Sequence, residues 1–125
     1  MTRTNRILVA DDDDPLRQAT RDILEEEGYE VTVARDGDEL LRTYRSQPFD
    51  LVLCDLFMPG KDGLQVIAEL RKAFPQTKIV AMSGGAYNGT LDLLHTAQLL
   101  GAKEVLAKPF GSSKLVEVVR RVLAG

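Results

Sequence analysis

The sequence alternates between short apolar runs and longer segments whose apolar residues recur at helical spacing. The five runs begin at Ile7, Tyr29, Leu51, Ile79 and Val105. Short runs rich in Val, Ile and Leu between turn residues predict strands, and apolar residues three and four positions apart predict amphipathic helices. A repeated strand-helix order makes the strands parallel in one sheet and covers both faces with helices. The sequence therefore predicts an α/β fold with a doubly wound sheet of five parallel strands and five helices.

Proline, glycine and aspartate mark where these elements begin and end. Proline favours the first turn of a helix and stops a helix elsewhere, whereas glycine supplies the left-handed residue that ends one. The predicted strands are Ile7–Ala10, Tyr29–Ala34, Leu51–Cys54 ending at Asp55, Ile79–Met82 and Val105–Ala107. The predicted helices are Pro15–Glu27, a segment marked by Leu40, Leu41 and Tyr44, a segment from Leu64 to Phe74, Leu91–Leu100 and Ser112–Leu123.

Length and charge limit the classes of function. The 125 residues, 44% of them hydrophobic, fit one domain with its own core. The net charge of -3 offers no general attraction for nucleic acid or anionic lipid. No apolar stretch resembles a membrane span or a signal peptide, and the one cysteine, Cys54, lies in an apolar run. We expect one cytoplasmic domain over residues 1–125, a monomer or weak homodimer without an output domain, that binds neither nucleic acid nor membrane.

Polar residues stand where four of the predicted strands end. Asp11 and Asp12 follow the first strand, Asp55 ends the third, Ser83 follows the fourth, and Lys108 follows the fifth. The carboxyl ends of parallel strands meet at one edge of the sheet, which is where open α/β sheets bind ligands. The sequence therefore predicts that these side chains share one cleft.

Such a set of side chains suits phosphoryl transfer to a carboxylate. Crowded carboxylates repel each other unless a cation joins them, and Mg²⁺ suits sites that combine a few carboxylates with phosphate. A carboxylate nucleophile such as Asp55 forms an acyl phosphate. The transition state asks for positive charge and donors on the phosphoryl oxygens, which Mg²⁺, Lys108 and Ser83 can supply.

Four segments of the chain resemble the receiver domains of two-component response regulators. In chain order they are LVADDDDPLR, LVLCDLFMPGKDG, AMSGG and LAKPF. The resemblance implies a flavodoxin-like sheet with strand order 2-1-3-4-5 and a phosphoacceptor signalling function that changes a partner-binding surface. It also implies a histidine kinase or histidine phosphotransfer protein as the phosphodonor, with no catalysis beyond the domain's own phosphorylation and dephosphorylation. The downstream partner is not identified.

The resemblance also assigns roles to individual residues. Asp55 would be the phosphoacceptor, and it would contribute to an Mg²⁺ site. The other Mg²⁺ ligands would be Asp12 directly, Asp11 through water, and the backbone carbonyl of Phe57. Ser83 and Lys108 would bind the phosphoryl group.

Other polar residues have structural interpretations. Asp13 and Asp14 are better explained as the cap and first-turn acid of the first helix than as metal ligands. Asp62 has the same position before the third helix. His95 has no carboxylate or thiol at ligand spacing, and we interpret it as a surface or partly packed residue.

Two departures from the family pattern concern the output. Val105 stands where many members carry Tyr or Phe, and the segment from Ser83 to Lys108 is a few residues longer than usual, with Gly84, Gly85, Asn88 and Gly89 near its start. Leu99 falls on the opposite side of the fourth helix from Leu93, Ala97 and Leu100, so we expect it to be exposed.

Three alternatives belong to other classes. A flavin-binding protein would carry a glycine- or hydroxyl-rich phosphate loop after the first strand, where this chain has four aspartates. A carboxylate-nucleophile phosphatase or dehalogenase-type enzyme would need an Asp-x-Asp pair and a cap segment, whereas Phe57 stands two residues after Asp55. A degenerate receiver that acts without phosphorylation would not need Ser83, Lys108 and the full acidic set.

Overall fold

The computed structural model describes residues 4–58, 60, 62–84 and 90–125. Strands and helices alternate along the chain as the sequence predicts. The strands are β1 Arg6–Ala10, β2 Glu30–Ala34, β3 Leu51–Asp55, β4 Ile79–Gly84 and β5 Glu104–Lys108. The helices are α1 Asp14–Glu26, α2 Gly37–Ser46, α3 Gly63–Ala73, α4 Thr90–Leu100 and α5 Ser112–Ala124.

The strands form one parallel sheet with the order β2-β1-β3-β4-β5. This order confirms the flavodoxin-like arrangement that the family resemblance implies. The pairing aligns the carboxyl ends of the three central strands, since Ala10 lies opposite Cys54 and Asp55 lies opposite Met82. Strand β4 extends past the predicted end at Met82 because Ser83 and Gly84 still pair with β5.

Each face of the sheet has its own hydrophobic core, because successive strand residues point to opposite faces. Leu8, Val52 and Ile79 pack with α2, α3 and α4 on one face. Ile7 and Leu53, by contrast, pack with α1 and α5 on the other face. Fully burying one such aliphatic side chain contributes about 1.5–3 kcal/mol. Burial on both faces explains why β3 is apolar throughout until Asp55.

The helix starts confirm the structural interpretations of the acidic residues. The Asp13 carboxylate caps α1 by accepting a hydrogen bond from the backbone N–H of Leu16 at 3.1 Å. The Asp62 carboxylate caps α3 by accepting from the N–H of Gln65 at 2.8 Å. Asp14 is the first residue of α1, where its negative charge interacts favourably with the positive end of the helix dipole.

The remaining predictions about single side chains agree with the described part of the chain. Cys54 is buried, and burial raises the pKa of its thiol, as a core residue requires. His95 is exposed. Leu99 is 74% exposed, whereas Ala97 on the same helix is buried.

Of the predicted glycine-rich segment, Gly84 belongs to β4, whereas residues 85–89 and the side chain of Leu93 lie outside the described residues. Within the described ranges, no helix combines the length and the apolar composition that a membrane span needs.

Candidate functional site

The polar residues at or just after the carboxyl ends of the strands converge at one edge of the sheet, as the sequence predicts. Carboxylate oxygens of Asp11, Asp12 and Asp55 all lie within 4.8 Å of one another, and we call these three residues the aspartate cluster. Asp11 and Asp55 are buried, whereas Asp12 is exposed. Oxygen donors gathered in this way can hold a hard divalent cation.

Hydrogen bonds from several segments hold Asp11 in place. Its N–H donates to the carbonyl of Ala34 in β2 at 3.1 Å, and its Oδ1 accepts from the N–H of Asp13 at 3.0 Å. Its own carbonyl accepts a hydrogen bond from Nη1 of Arg17 in α1 at 2.8 Å. Both the main chain and the carboxylate of Asp11 are therefore fixed by contacts within the fold.

Lys108 connects the end of β5 to the aspartate cluster. Its ammonium donates to Asp11 Oδ2 at 2.8 Å and to Asp55 Oδ2 at 3.1 Å. Burial alone would lower the pKa of Lys108, but the hydrogen bond to Asp11 and the charges of both aspartates raise it above its ordinary value. The lysine therefore stays charged and lies within reach of any group bound to Asp55.

Asp55 ends the buried strand β3, and only 3% of it is exposed. Burial raises its pKa from 3.8 to about 6, although Lys108 and the N–H of Phe57 act in the opposite direction. The N–H of Phe57 donates to Asp55 Oδ1 at 3.2 Å. The two carboxylate oxygens of Asp55 thus face different donors, with Lys108 on Oδ2.

Ser83 lies in β4, next to the strand that ends in Asp55. Its side chain is fully buried, and its hydroxyl has no hydrogen-bond partner among the residues that the structure describes. A buried hydroxyl without a partner costs about 1–3 kcal/mol relative to a paired one. Such a group is expected where a ligand supplies the missing partner.

Two residues near the cluster were not assigned a role from the sequence. Arg17 contacts the carbonyl of Asp11, and nothing in its helical spacing indicates this. Gly63 begins α3, and a Cβ on it would lie 2.3 Å from the carbonyl oxygen of Asp55, so only glycine fits there. The Asp-Gly pair at 62–63 signals a helix start, but that signal does not reveal the close approach to β3.

Comparisons with known proteins agree with this geometry. Residues 7–120 match the model of the response regulator receiver domain. The transcriptional regulatory protein CpxR of Escherichia coli is 36% identical over 95% of this chain, which spans 49% of that protein. The chain thus spans about half the length of the curated CpxR relatives that it matches. The chemotaxis protein CheY of Thermotoga maritima is 34% identical over 94% of this chain and 96% of that protein.

Solved structures give the same result. The receiver domain of NtrX from Brucella abortus superimposes with a TM-score of 0.88 at 32% identity, covering 94% of this chain and 98% of that chain. A CheY-like receiver domain protein from Methanospirillum hungatei superimposes with a TM-score of 0.90 at 30% identity, covering 98% and 95%. The chain therefore belongs to the response regulator receiver domain family of two-component systems.

Proposed function

We propose that this receiver domain accepts a phosphoryl group on Asp55 from a phosphohistidine, carried by a histidine kinase or a histidine phosphotransfer protein. The observation that carries the proposal is the arrangement of the aspartate cluster around a buried strand end, with Lys108 bonded to Asp11 and Asp55. Phosphorylation of Asp55 would change a surface of the domain that binds a downstream protein.

The donor set fits Mg²⁺, because the aspartate cluster offers only carboxylate oxygens and two of its members are buried. Asp12 would hold the ion directly, Asp11 would hold it through water, and Asp55 and the Phe57 carbonyl would complete the protein ligands. When bound, Mg²⁺ supplies positive charge that keeps Asp55 ionised and balances the incoming phosphoryl group.

The chain's own residues would then act as follows. A carboxylate oxygen of Asp55 forms a bond to phosphorus while the bond from the imidazole nitrogen to phosphorus breaks, and the imidazole leaves with the electron pair. Lys108 would stabilise charge on the transferred group, a role that its distance of 3.1 Å from Asp55 Oδ2 supports. The Ser83 hydroxyl, which has no hydrogen-bond partner among the described residues, would donate to another phosphoryl oxygen.

The test is incubation with a small phosphodonor such as acetyl phosphate, followed by intact mass and peptide mapping. We expect the addition of one phosphoryl group to Asp55 when Mg²⁺ is present, and none when a chelator removes it. Asp55→Asn should abolish the addition. Asp22→Asn is the matched control, because Asp22 is an exposed residue of α1 that accepts only a side-chain hydrogen bond from Gln18 in the described contacts.

Two results would contradict the proposal. Labelling of Asp55→Asn at the parental rate would show that Asp55 is not the phosphoacceptor. No labelling of the parent protein by any donor would instead favour a receiver that acts without phosphorylation.

A further inference from the structure

The side chain of Arg17 folds back from α1 toward the loop after β1, and only 13% of it is exposed. Nη1 donates to the backbone carbonyl of Asp11 at 2.8 Å, and Nη2 donates to the carboxylate of Asp14. Arg17 therefore contacts the aspartate cluster through a backbone atom. This arrangement leaves the carboxylate oxygens of the cluster to other partners.

The contact from Arg17 completes the set of bonds that hold Asp11. The N–H of Asp11 bonds to β2, its Oδ1 accepts from Asp13, and its Oδ2 accepts from Lys108. Only the bond from Arg17, among the hydrogen bonds of the described residues, goes to the Asp11 carbonyl. Arg17 thus restrains the carbonyl oxygen of Asp11, the polar atom that the other contacts do not bind.

The direction of the Asp11 carbonyl determines where Asp12 lies. A peptide unit is planar, so the carbonyl of Asp11 and the N–H and Cα of Asp12 move together. Asp12 is exposed and begins no helix, yet its carboxylate lies within 4.8 Å of those of Asp11 and Asp55. A restraint on the Asp11 carbonyl is therefore a restraint on the place of the Asp12 carboxylate.

We propose that Arg17 is a positioning residue for the metal site, which holds Asp12 in reach of the bound cation through its hydrogen bond to the Asp11 carbonyl. The inference rests on the proposed function, because it requires the aspartate cluster to bind Mg²⁺. Residues that orient metal ligands in this way typically change metal affinity about 10–100-fold when they are replaced.

The test compares Arg17→Met with the parent protein by calorimetric titration of the metal-free chain with Mg²⁺. Methionine keeps an apolar stem of similar length and removes every donor. We expect Mg²⁺ affinity to fall about tenfold. The initial rate of phosphorylation from acetyl phosphate should fall at limiting Mg²⁺ and recover at saturating Mg²⁺, which general damage to the fold would not produce.

Arg21→Met is the matched control. Arg21 lies one turn further along α1, is half-buried, and pairs with Glu25 at 3.8 Å. Asp14→Asn removes the charge of the other partner of Arg17 and leaves the bond to Asp11 in place. We expect parental Mg²⁺ affinity in both variants.

Three outcomes would overturn the inference: parental Mg²⁺ affinity in Arg17→Met, an equal loss in Arg21→Met, or a rate that does not recover at saturating Mg²⁺. If Arg17→Met does not fold, Arg17→Lys decides the question. Its single ammonium cannot replace both guanidinium contacts, to the Asp11 carbonyl and to the Asp14 carboxylate. We therefore expect Arg17→Lys to bind Mg²⁺ more weakly than the parent does. Parental Mg²⁺ affinity in this variant would refute the positioning role. A parent protein that binds no Mg²⁺ would overturn the proposed function as well, whereas parental affinity in Arg17→Met with Asp55 still labelled would overturn this inference alone.

Discussion

Asp55 carries a charge that its own position disfavours. Burial raises its pKa from 3.8 to about 6, and the bond from Lys108 only partly compensates. In the unfolded chain Asp55 ionises near its ordinary pKa, whereas the native chain holds the proton longer. The free energy of unfolding should therefore fall as the pH rises from about 4 to about 6, and this loss should be complete above that range.

Asp55→Asn removes that loss, because asparagine cannot ionise. In the absence of metal, and well above the raised pKa, we expect the variant to be more stable than the parent by about 1–2 kcal/mol. The difference should vanish at acid pH, and Mg²⁺ should reduce it because the ion binds the parent better. Denaturant unfolding across pH with a chelator measures this. A constant difference at every pH, or one shared by Asp22→Asn, would contradict the explanation.

Asp12 and Asp13 are neighbours with different expected roles. Asp12 belongs to the aspartate cluster, whereas the carboxylate of Asp13 caps α1. Asp12→Ala should lower Mg²⁺ affinity at least about tenfold. Asp13→Ala should instead lower stability by about 1 kcal/mol, as the loss of a helix cap does, with a smaller effect on the metal. Calorimetric titration and thermal unfolding of both variants separate the two roles, and an equal loss of metal affinity would defeat the ranking.

No side chain fits at Gly63, the first residue of α3, where the segment from β3 ends. A Cβ on Gly63 would lie 2.3 Å from the Asp55 carbonyl oxygen and 2.5 Å from the Leu56 Cα, and both are backbone atoms. The N–H of Gly63 also donates to the Leu56 carbonyl at 3.1 Å. The position of α3 and the backbone that carries Asp55 therefore depend on each other.

Gly63→Ala should destabilise the protein by about 1–3 kcal/mol, the usual cost of forcing extra atoms into a packed region. It should also slow phosphorylation of Asp55, because the strand end must shift to relieve the contact. Gly111→Ser is the control, since a Cβ there meets nothing within 4 Å and serine is a good helix cap. Thermal unfolding and the phosphorylation rate test both, and a neutral Gly63→Ala would show that the junction is more adaptable than its geometry indicates.

Helix α4 follows β4, the strand that carries Ser83. Val105 is half-buried and packs with Leu100 against the core on the α2, α3 and α4 face, so the place of the usual aromatic holds a short, stiff side chain. If Ser83 binds the phosphoryl group, its movement can pass along the chain to α4 and to the exposed Leu99. A single exposed leucine such as Leu99 is common on protein surfaces and indicates no function by itself. Leu99 would gain a function only if phosphorylation changed its surroundings.

Hydrogen exchange with and without beryllofluoride, a phosphoryl mimic, measures that movement. We expect altered protection within residues 84–100 in the parent protein, and none in Asp55→Asn. Changes confined to the loops at Asp12 and Asp55 would show that the signal does not pass through α4.

The alternation of strands and helices was predictable because burial on both faces leaves a clear trace in the sequence, as Leu51 to Asp55 illustrates. The strand order, which the structure confirms, came from the family resemblance. The sequence of a single strand does not indicate which strand pairs with it. The gathering of Asp11, Asp55, Ser83 and Lys108 at one edge followed from parallel topology. The order of the elements therefore determines much of the site.

What the sequence did not predict depends on distances between segments. The bond from Arg17 to the Asp11 carbonyl and the contact of Gly63 with Asp55 arise only once α1 and α3 are docked on the sheet. The same applies to the extra length of β4, which depends on pairing with β5. Local patterns such as caps and apolar spacing carry no information of this kind.

The bonds from Lys108 also determine how much charge the cleft still lacks. Its one positive charge lies against Asp11 and Asp55. The aspartate cluster carries three negative charges when all its members are ionised, so two negative charges remain. A single divalent ion would make the site electrically neutral, whereas one Na⁺ or K⁺ would leave it negative. We therefore expect the site to discriminate among cations first by valence and only then by size, with Mg²⁺ and Mn²⁺ binding while a large excess of K⁺ does not displace them.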